Sequence, residues 1–585
     1  MKNNNITGHD FYQLFKSGVN EVSKNKDLLN KINVFPVADG DTGTNLQYTL
    51  QSAVEYATIS TSITETLMSI SQNAINYARG NSGIIFSEFI HGLAIFSHEQ
   101  EMSVNDFIGT VSSSSKRLYE IVKNPAEGTI LTVIRKWANF LENNQLNSFS
   151  ELFEVSLPII KKSVNETTNE LKDLKKHKVP DSGALGFYLF IEGIKNSMYD
   201  TKNNATNEWK KYEDIEIVEE DFDGMYRYCT QFFVKNINID INNLINELGS
   251  DGNSIAYSGD KDFLNLHLHT NEPWQISKVL ARYGHIVNSK VDDMWIQNNY
   301  RKTKGKIGIL TDSVADISKE ILDSHEIHMI SMNLLVDMNS YLDKKTIVLD
   351  DFLELIDKSS QFPVSSQPND QQIRYELMHY LDFYEKIIIL SVSSKLSGTY
   401  QGFMRFLDKN PEFKENVYLI DSFLNSGGQG LLVKQAAAIC KRDLAIEEII
   451  KLIEQERENI KTFVVLNTFE NLSRSGRINA KIASLANRFK MKAILSLDKE
   501  GNGKAYGFSL SSKSVESKVI KKVKSLAKDK EIQEYVLFYS SDNDEYKKFK
   551  KKMEMLIGKD PTYCVEISSA TALHVGKNSF AIALR

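Results

Sequence analysis

With 585 residues the chain is long enough for about three or four domains, each able to bury a core of its own. Its net charge of −6 disfavours non-specific nucleic-acid binding, and the locally basic run from Lys521 to Lys530 reads as a solvated helix face. There is no 18-residue apolar stretch and no apolar core behind the polar start Met1 to Asn5, so neither a membrane span nor secretion is supported. Three scattered cysteines, Cys229, Cys440 and Cys564, argue against a disulfide framework and fit a reducing cytoplasm.

The first informative segment runs from Asn33 to Leu46, NVFPVADGDTGTNL. Asp39 and Asp41 flank Gly40 and can offer hard oxygen ligands to one or two Mg²⁺ ions, which keep phosphate oxygens and waters in their remaining positions. Pro36, Gly40 and Gly43 bar a regular helix here, and the spacing of Leu46, Leu50, Val54 and Ala57 then predicts one, with free N–H groups at its start that suit phosphate. An Asp-Gly turn alone would be unremarkable; Asp41, Thr42, Gly43 and Thr44 beside it favour a metal–phosphate site. Arg79-Gly80-Asn81-Ser82-Gly83 precedes the apolar run Ile84 to Phe96, and Pro180-Asp181-Ser182-Gly183 precedes Phe187 to Ile194, with Glu127-Gly128-Thr129 between them. Each alone could be a helix-capping turn. Together they suggest loops gathered at one end of a helical bundle around a single nucleotide.

The runs NVFPVADGDTGTNL, ARGNSG, EGTILTVIR and DSGALG, in this order, resemble the nucleotide-binding domain of the dihydroxyacetone-kinase superfamily, and within it bacterial fatty acid kinase. The resemblance implies an eight-helix barrel over residues 1–205 that binds Mg-ATP. Asp39 and Asp41 would be metal ligands, and Thr42, Gly43, Thr44, Asn45, Gly80, Asn81, Ser82, Gly83, Gly128, Thr129, Asp181 and Gly183 would surround the phosphates. Sugar kinases of the superfamily carry a third Asp about five positions before the pair. Here Asn33-Val34 stands in that place; Asn33 supplies an amide oxygen with less charge, which moves the reading away from sugar kinases.

The polar stretch Tyr199 to Glu219 reads as a linker. After it the period changes. Met225 to Lys235, Ser254 to Ser258 and Phe263 to His269 are strand-like, Asn243 to Leu248 and Trp274 to Arg282 are helical, and the short apolar pair Ile286-Val287 follows. This β-α-β-β-α-β order predicts a small ferredoxin-like α+β domain over residues 206–300. Residues two apart in a strand share a face, so His267 and His269 can point together with Cys229 brought in by a neighbouring strand. Zinc accepts such a set; two partly exposed histidines on a sheet face are the plainer alternative. The runs YRYCTQF and LHLHTNEP resemble the middle domain of fatty acid kinase, which implies a metal site at Cys229, His267 and His269.

From residue 305 to the end the pattern is alternating α/β. Ile307 to Leu310 ends in Thr311-Asp312-Ser313, Lys386 to Leu390 ends in the hydroxyl-rich run Ser391 to Tyr400, and Val417 to Ile420 ends in Asp421-Ser422. Such loops at strand ends are where open α/β sheets place ligands, and their hydroxyls and N–H groups suit a carboxylate. Singly, each could be a helix cap. In series, ILTDSVADIS, PVSSQP, SVSSKLSGTYQG, DSFLNSGGQGLLV, SRSGRI and ALHVG resemble the DegV family of bacterial fatty-acid-binding proteins. That resemblance implies a two-lobed α/β domain holding an acyl chain between its lobes. The carboxylate would lie at Ser365, Ser397 with Gly398 and Thr399, and His574, with Arg474 and Arg477 as gate or phosphate contacts. The family's usual Gly-Pro-Gly after the histidine is Lys577-Asn578-Ser579 here.

Both resemblances point to one reaction: ATP-dependent phosphorylation of a bound long-chain fatty acid to acyl phosphate. An ionised carboxylate needs no general base, so charge neutralisation by Mg²⁺ and by Arg79 or Arg135 would suffice, with the reacting atoms brought within about 3.5 Å. Either arginine could equally form a surface salt bridge. The partners implied are the fatty acid, a separate DegV-type carrier or acyltransferase, transient membrane contact and a second copy in a homodimer. Two other readings remain compatible with the sequence: a carrier or sensor whose first domain binds ATP as a signal, and a small-polyol (glycerone-type) kinase with an unrelated lipid module.

Overall fold

The computed structural model describes residues 5–35, 40–98, 100–122, 125–199, 209–212, 225–249, 251–259, 262–296, 304–478, 480–489 and 491–585. Asp39, one of the two expected magnesium ligands, lies outside them, as does most of the expected linker. The chain divides into two compact units: Met1–Glu272 with Arg282–Asn298, and Pro273–Ala281 with Asn299–Arg585. No helix among the described residues is long and apolar enough to cross a membrane.

The first unit opens with helices α1 Gly8–Lys24, α2 Lys26–Lys31, α3 Thr42–Glu55, α4 Ile63–Asn76, α5 Gly80–Ile95, α6 Val104–Ile121, α7 Ile130–Glu142, α8 Phe149–Glu170, α9 Lys172–His177 and α10 Ser182–Met198. Eight of them, all but the short α2 and α9, pack in a closed series, each against the next in chain order and α10 back against α1. Leu29, Leu46, Phe86, Val133, Ile160 and Phe187 are fully or almost fully buried in the shared interior. The glycine-rich stretches are the first turns of α3, α5 and α10 themselves, where the sequence suggests loops ahead of helices.

The expected linker is not wholly a linker. Trp209–Tyr212 forms a 3₁₀ turn in which Trp209 is buried, its ring 5.5 Å from that of Tyr188 on α10. The polar residues around it hid this one aromatic anchor. Trp209→Ala should weaken local stability by about 3 kcal/mol, as for other large-to-small core changes. Faster hydrogen exchange along Ser182–Met198 would register it; unchanged protection would show that the turn contributes nothing.

The unit closes with strands β1 Tyr228–Lys235, β2 Asn253–Gly259, β3 Phe263–Thr270 and β4 His285–Asp293, with helix Ile241–Leu248 between the first two; the helix Pro273–Tyr283, which precedes β4 in sequence, falls mostly in the second unit. All neighbours are antiparallel, in the order β2-β3-β1-β4. The last strand is longer than the pair Ile286-Val287 suggests. Its polar second half, Asn288 to Asp292, pairs fully with β1, and Ser289, Lys290 and Asp292 are buried. Polar residues that face other polar groups leave no apolar signature.

In the second unit, strands β5 Gly305–Asp312, β6 Ile327–Ile330, β7 Tyr384–Ser391 and β8 Val417–Asp421 form a parallel sheet in the order β8-β7-β5-β6. Continuous apolar runs such as Ile387 to Leu390 are what a strand covered on both faces requires. A second sheet has six strands, five of them joined by antiparallel pairings and one, Cys564–Glu566, parallel to its neighbour. Helix Ser426–Cys440 packs against both sheets. Its glycine-rich start follows from that approach: a Cβ on Gly427 would lie 2.3 Å from the Phe538 ring. A small three-stranded antiparallel sheet carries Val364–Ser366 at one edge.

Candidate functional site

Short contacts gather the four helix starts of the first unit. A Cβ on Gly80, at φ +62°, would lie 2.6 Å from Asn45 Nδ2, one on Gly83 2.7 Å from Thr49 Oγ1, and one on Gly183 2.5 Å from Ser82 Oγ. Asp181 Oδ1 accepts from Ala184 N at 2.7 Å and from Ile130 N at 3.1 Å, which ties the start of α10 to that of α7. Burial pushes the Asp181 carboxyl up to about 6, against the pull of those two N–H groups. Asn30 holds the start of α3 by accepting from Thr44 N at 3.0 Å and donating to Thr44 Oγ1 at 2.9 Å; the buried Asn33 follows in the same turn. Asp41 stands at the N-cap of α3, yet its side chain makes no capping bond. Gly128 N donates to Thr132 Oγ1, and Thr129 Oγ1 to Ala126 O.

The donor types fit a magnesium–nucleotide pair: a buried carboxylate at Asp41, amide oxygens at Asn33 and Asn45, and glycine positions where a Cβ would fill the cradle. The two arginines part company. Arg79 is buried, with its guanidinium carbon 5.2 Å from the Tyr48 ring centre and its backbone N–H bonded to Thr49 Oγ1 at 3.0 Å. Arg135 is half-exposed and pairs with Glu127 Oε2 at 2.7 Å and Tyr119 OH at 3.1 Å, bracing the turn before α7.

One face of the antiparallel sheet meets these starts. Gln231 on β1 accepts from Gly80 N at 3.2 Å and donates to Ala78 O at 2.8 Å, and Lys290 on β4 donates to Asn45 Oδ1 at 3.1 Å. Lys290 also forms a buried ion pair with Asp292. Burial opposes its charge, but the Asp292 and Asp41 carboxylates outweigh that and hold the ammonium above the usual lysine value. Neither Gln231, Lys290 nor Asp292 stands out in the sequence: Gln231 is a polar residue before an apolar pair, and Lys290 and Asp292 sit in the largely polar run Asn288 to Asp293.

The same face carries Cys229, His267 and His269. Register explains it: Cys229 pairs with His269 on one side and Asp292 on the other, and Gln231 with His267 and Lys290. All three are buried, with ligand atoms within 4.8 Å of one another and Cys229 Sγ 3.9 Å from His267 Nδ1. Two ligands of one tetrahedral zinc stand about 3.5 Å apart. Burial, helped by His269, pushes His267 down to about 3, so its imidazole is neutral as a metal requires.

In the second unit Ser365, Ser397 and His574 line one cavity of about 440 Å³, within the range of small-molecule sites. Its walls include Val464, Phe469, Leu472, Leu495 and Phe508, and Arg477 also lines it. Ser397 Oγ is 2.8 Å from Thr399 Oγ1, so Thr399, itself buried, orients the serine and is outside the lining, as is Gly398 at the N-cap of the next helix. Arg474 is also outside it, its guanidinium carbon 4.3 Å from the Phe362 ring centre. His574 Nδ1 is buried with no hydrogen-bond partner, and burial, aided by Arg477, pushes the ring down to about 4.

Two buried acids position that histidine. Asp316 Oδ1 accepts from Ser568 N at 2.8 Å and Asp343 Oδ1 from Ser569 N at 2.9 Å, which anchors the start of the helix Ser569–Val575. Asp343 Oδ2 also accepts from Ser313 Oγ at 2.6 Å. Asp316 lies inside the DSVADIS run, whereas nothing around Asp343 marks it in the sequence.

Comparison with known proteins assigns all three regions. The DAK2 domain family matches residues 36–196, the FakA-like middle domain of fatty acid kinases matches 225–301, and the DegV family of uncharacterised proteins matches 306–585. The chain therefore joins a DAK2 domain, a FakA-like middle domain and a DegV family domain. An uncharacterised protein of Mycoplasma genitalium is 29% identical over 358 residues, 55% of this chain and 63% of its own length. One from Staphylococcus haemolyticus is 30% identical over 323 residues, 52% of this chain and 58% of its own. The chain thus spans less than two thirds of the length of these relatives. Among solved structures, a fatty-acid-binding DegV family protein from Thermus thermophilus is 23% identical with a TM-score of 0.43, covering 48% of this chain and 99% of that one. DegV from Bacillus subtilis, also described as a fatty acid binding protein, is 20% identical with the same TM-score and the same two coverages.

Proposed function

We propose that this chain is an ATP-dependent fatty acid kinase that carries its own lipid-binding module. In this reading residues 1–205 are a nucleotide-binding eight-helix barrel, 206–300 a ferredoxin-like domain with a structural zinc, and 305–585 a two-lobed fatty-acid-binding domain. The observation that carries it is the pairing, in one chain, of glycine-rich helix starts suited to a metal-bound polyphosphate with a cavity whose polar lining includes Ser365, Ser397 and an unsatisfied His574.

A carboxylate oxygen of the fatty acid attacks the γ-phosphorus; the bond to the β,γ-bridging oxygen breaks, and ADP leaves with the electron pair. No proton has to move, because the nucleophile is already ionised near neutral pH. Magnesium, when bound, neutralises phosphate charge. The chain's own work is to hold: Asp41 and Asn33 offer metal ligands, the starts of α3, α5 and α10 present N–H groups, and Arg79 adds a cation. The further proposals of a cytoplasmic homodimer, and of a separate carrier or acyltransferase that receives the product, follow from the kinase resemblance.

The test is ATP- and Mg²⁺-dependent formation of acyl hydroxamate from oleate and hydroxylamine by the purified chain alone. Product is expected. None, with fatty acid still extractable, would replace the kinase with a carrier or sensor; phosphorylation of glycerone instead would favour the polyol reading. For the zinc, Cys229→Ser should reduce bound metal from near-stoichiometric to a small residue in elemental analysis after dialysis. Equal metal in both proteins would remove the site.

A further inference from the structure

We infer that Lys290, from the strand His285–Asp293 of the middle domain, is a phosphate-binding group of the nucleotide site, held in place there by Asp292. The inference rests on the reading of the helix starts as a site for Mg-ATP. Its first ground is charge. The stretches Gly40–Leu46, Glu127–Ile130 and Asp181–Gly186 contain no basic residue, and Arg79–Gly83 contains one, Arg79. A triphosphate carries about four negative charges, more than one Mg²⁺ and one arginine neutralise, and a lysine ammonium is a common point-charge partner for phosphate.

The second ground is placement. Lys290 is only 5% exposed, although a buried ammonium is costly unless well paired. Its Nζ lies 3.1 Å from Asn45 Oδ1, in the first turn of α3, whose N-cap is Asp41. Asn45 in turn packs against Gly80 at the start of α5. The ammonium thus stands where two of the helix starts meet. Asp292, two residues on and on the same face, pairs with Lys290, and Gln231, the cross-strand partner of Lys290, bonds the backbone of Ala78 and Gly80. The middle domain then does more than carry a metal: its sheet face supplies a cation to the site and a strap on the glycine turn. Lys290 is the binding group and Asp292 and Gln231 are positioning residues.

The experiment is calorimetric titration of the full-length chain with a Mg²⁺-bound non-hydrolysable ATP analogue and, separately, with adenosine. Lys290→Met should weaken the triphosphate by about 10-fold or more and leave adenosine unchanged, since the loss is of a charge-assisted contact to phosphate. Lys290→Arg should recover most of the triphosphate affinity. If Lys290→Met melts early, Lys290→Gln, which can still donate to Asn45, is read instead, with the same two ligands. Triphosphate affinity equal to that of the unaltered chain would overturn the inference, and so would equal loss for triphosphate and adenosine, the mark of a purely structural lysine. Failure of the unaltered chain to bind the triphosphate would instead overturn the nucleotide site itself.

Discussion

Asp41→Asn is expected to reduce acyl phosphate formation by about 10²-fold or more while the protein still yields its bound fatty acid on extraction. The size follows from what is removed: losing one preorganised electrostatic contact to a developing charge costs roughly 10²–10³ in rate, and Asp41, the one acidic residue among the described residues of the motif, is the magnesium ligand of the proposed site. The substitution is mild for the fold. The Asp41 side chain makes no capping bond, and its carbonyl, which accepts from Asn45 N at 2.8 Å, is retained. A lower melting temperature together with lost activity would point to a structural role, and unchanged activity would remove Asp41 from the magnesium site. The retained lipid matters as much as the lost turnover, because a carrier or sensor would keep its lipid and never have had the turnover.

How much of this was legible before the structure depended on the kind of signal. Glycine-rich motifs and apolar runs were readable because geometry restricts them: Gly80 needs φ +62° and Gly183 has no room for a Cβ, so these positions tolerate few residues. The alternation of Cys229, His267 and His269 on strands was equally plain, since two-residue periodicity puts them on one face. Ser365, Ser397 and His574 followed from motif order, and all three line one cavity. Lys290, Asp292 and Gln231 could not be found that way. Their strands look polar, their burial depends on what the other polar groups opposite them are, and a pairing such as Lys290 with Asn45 joins positions 245 apart. Asp343 is hidden for the same reason, being 226 residues from the Ser569 amide it anchors. Arg474 shows how a motif leaves placement open: its guanidinium lies against Phe362, outside the cavity lining.

The other large effect expected is at His574. Burial holds this imidazole near pKa 4, well below the value of about 6.5 it has when unfolded, so it is neutral at pH 7. For folding the sign is fixed: the unfolded chain takes up this proton as the pH falls below about 6.5 and the folded chain only near 4. The contribution to stability is therefore present above about 6.5 and lost as the pH falls through 4. A fatty carboxylate beside the ring has the opposite effect, since an adjacent negative charge favours the imidazolium. Binding should then take up a proton, and fatty acid affinity should tighten as the pH is lowered from 7.5 to 5.5. His574→Leu keeps an apolar cavity wall but removes the donor; it should bind about 10-fold or more weakly near pH 6 and keep only the slope that the fatty acid itself contributes, so the difference between the two proteins isolates the ring. The measurement is displacement of a fluorescent fatty acid by oleate across that range in both proteins. Parallel slopes with equal affinities would move the carboxylate away from His574, toward Ser365 and Ser397 alone or toward Arg477, which lines the same cavity.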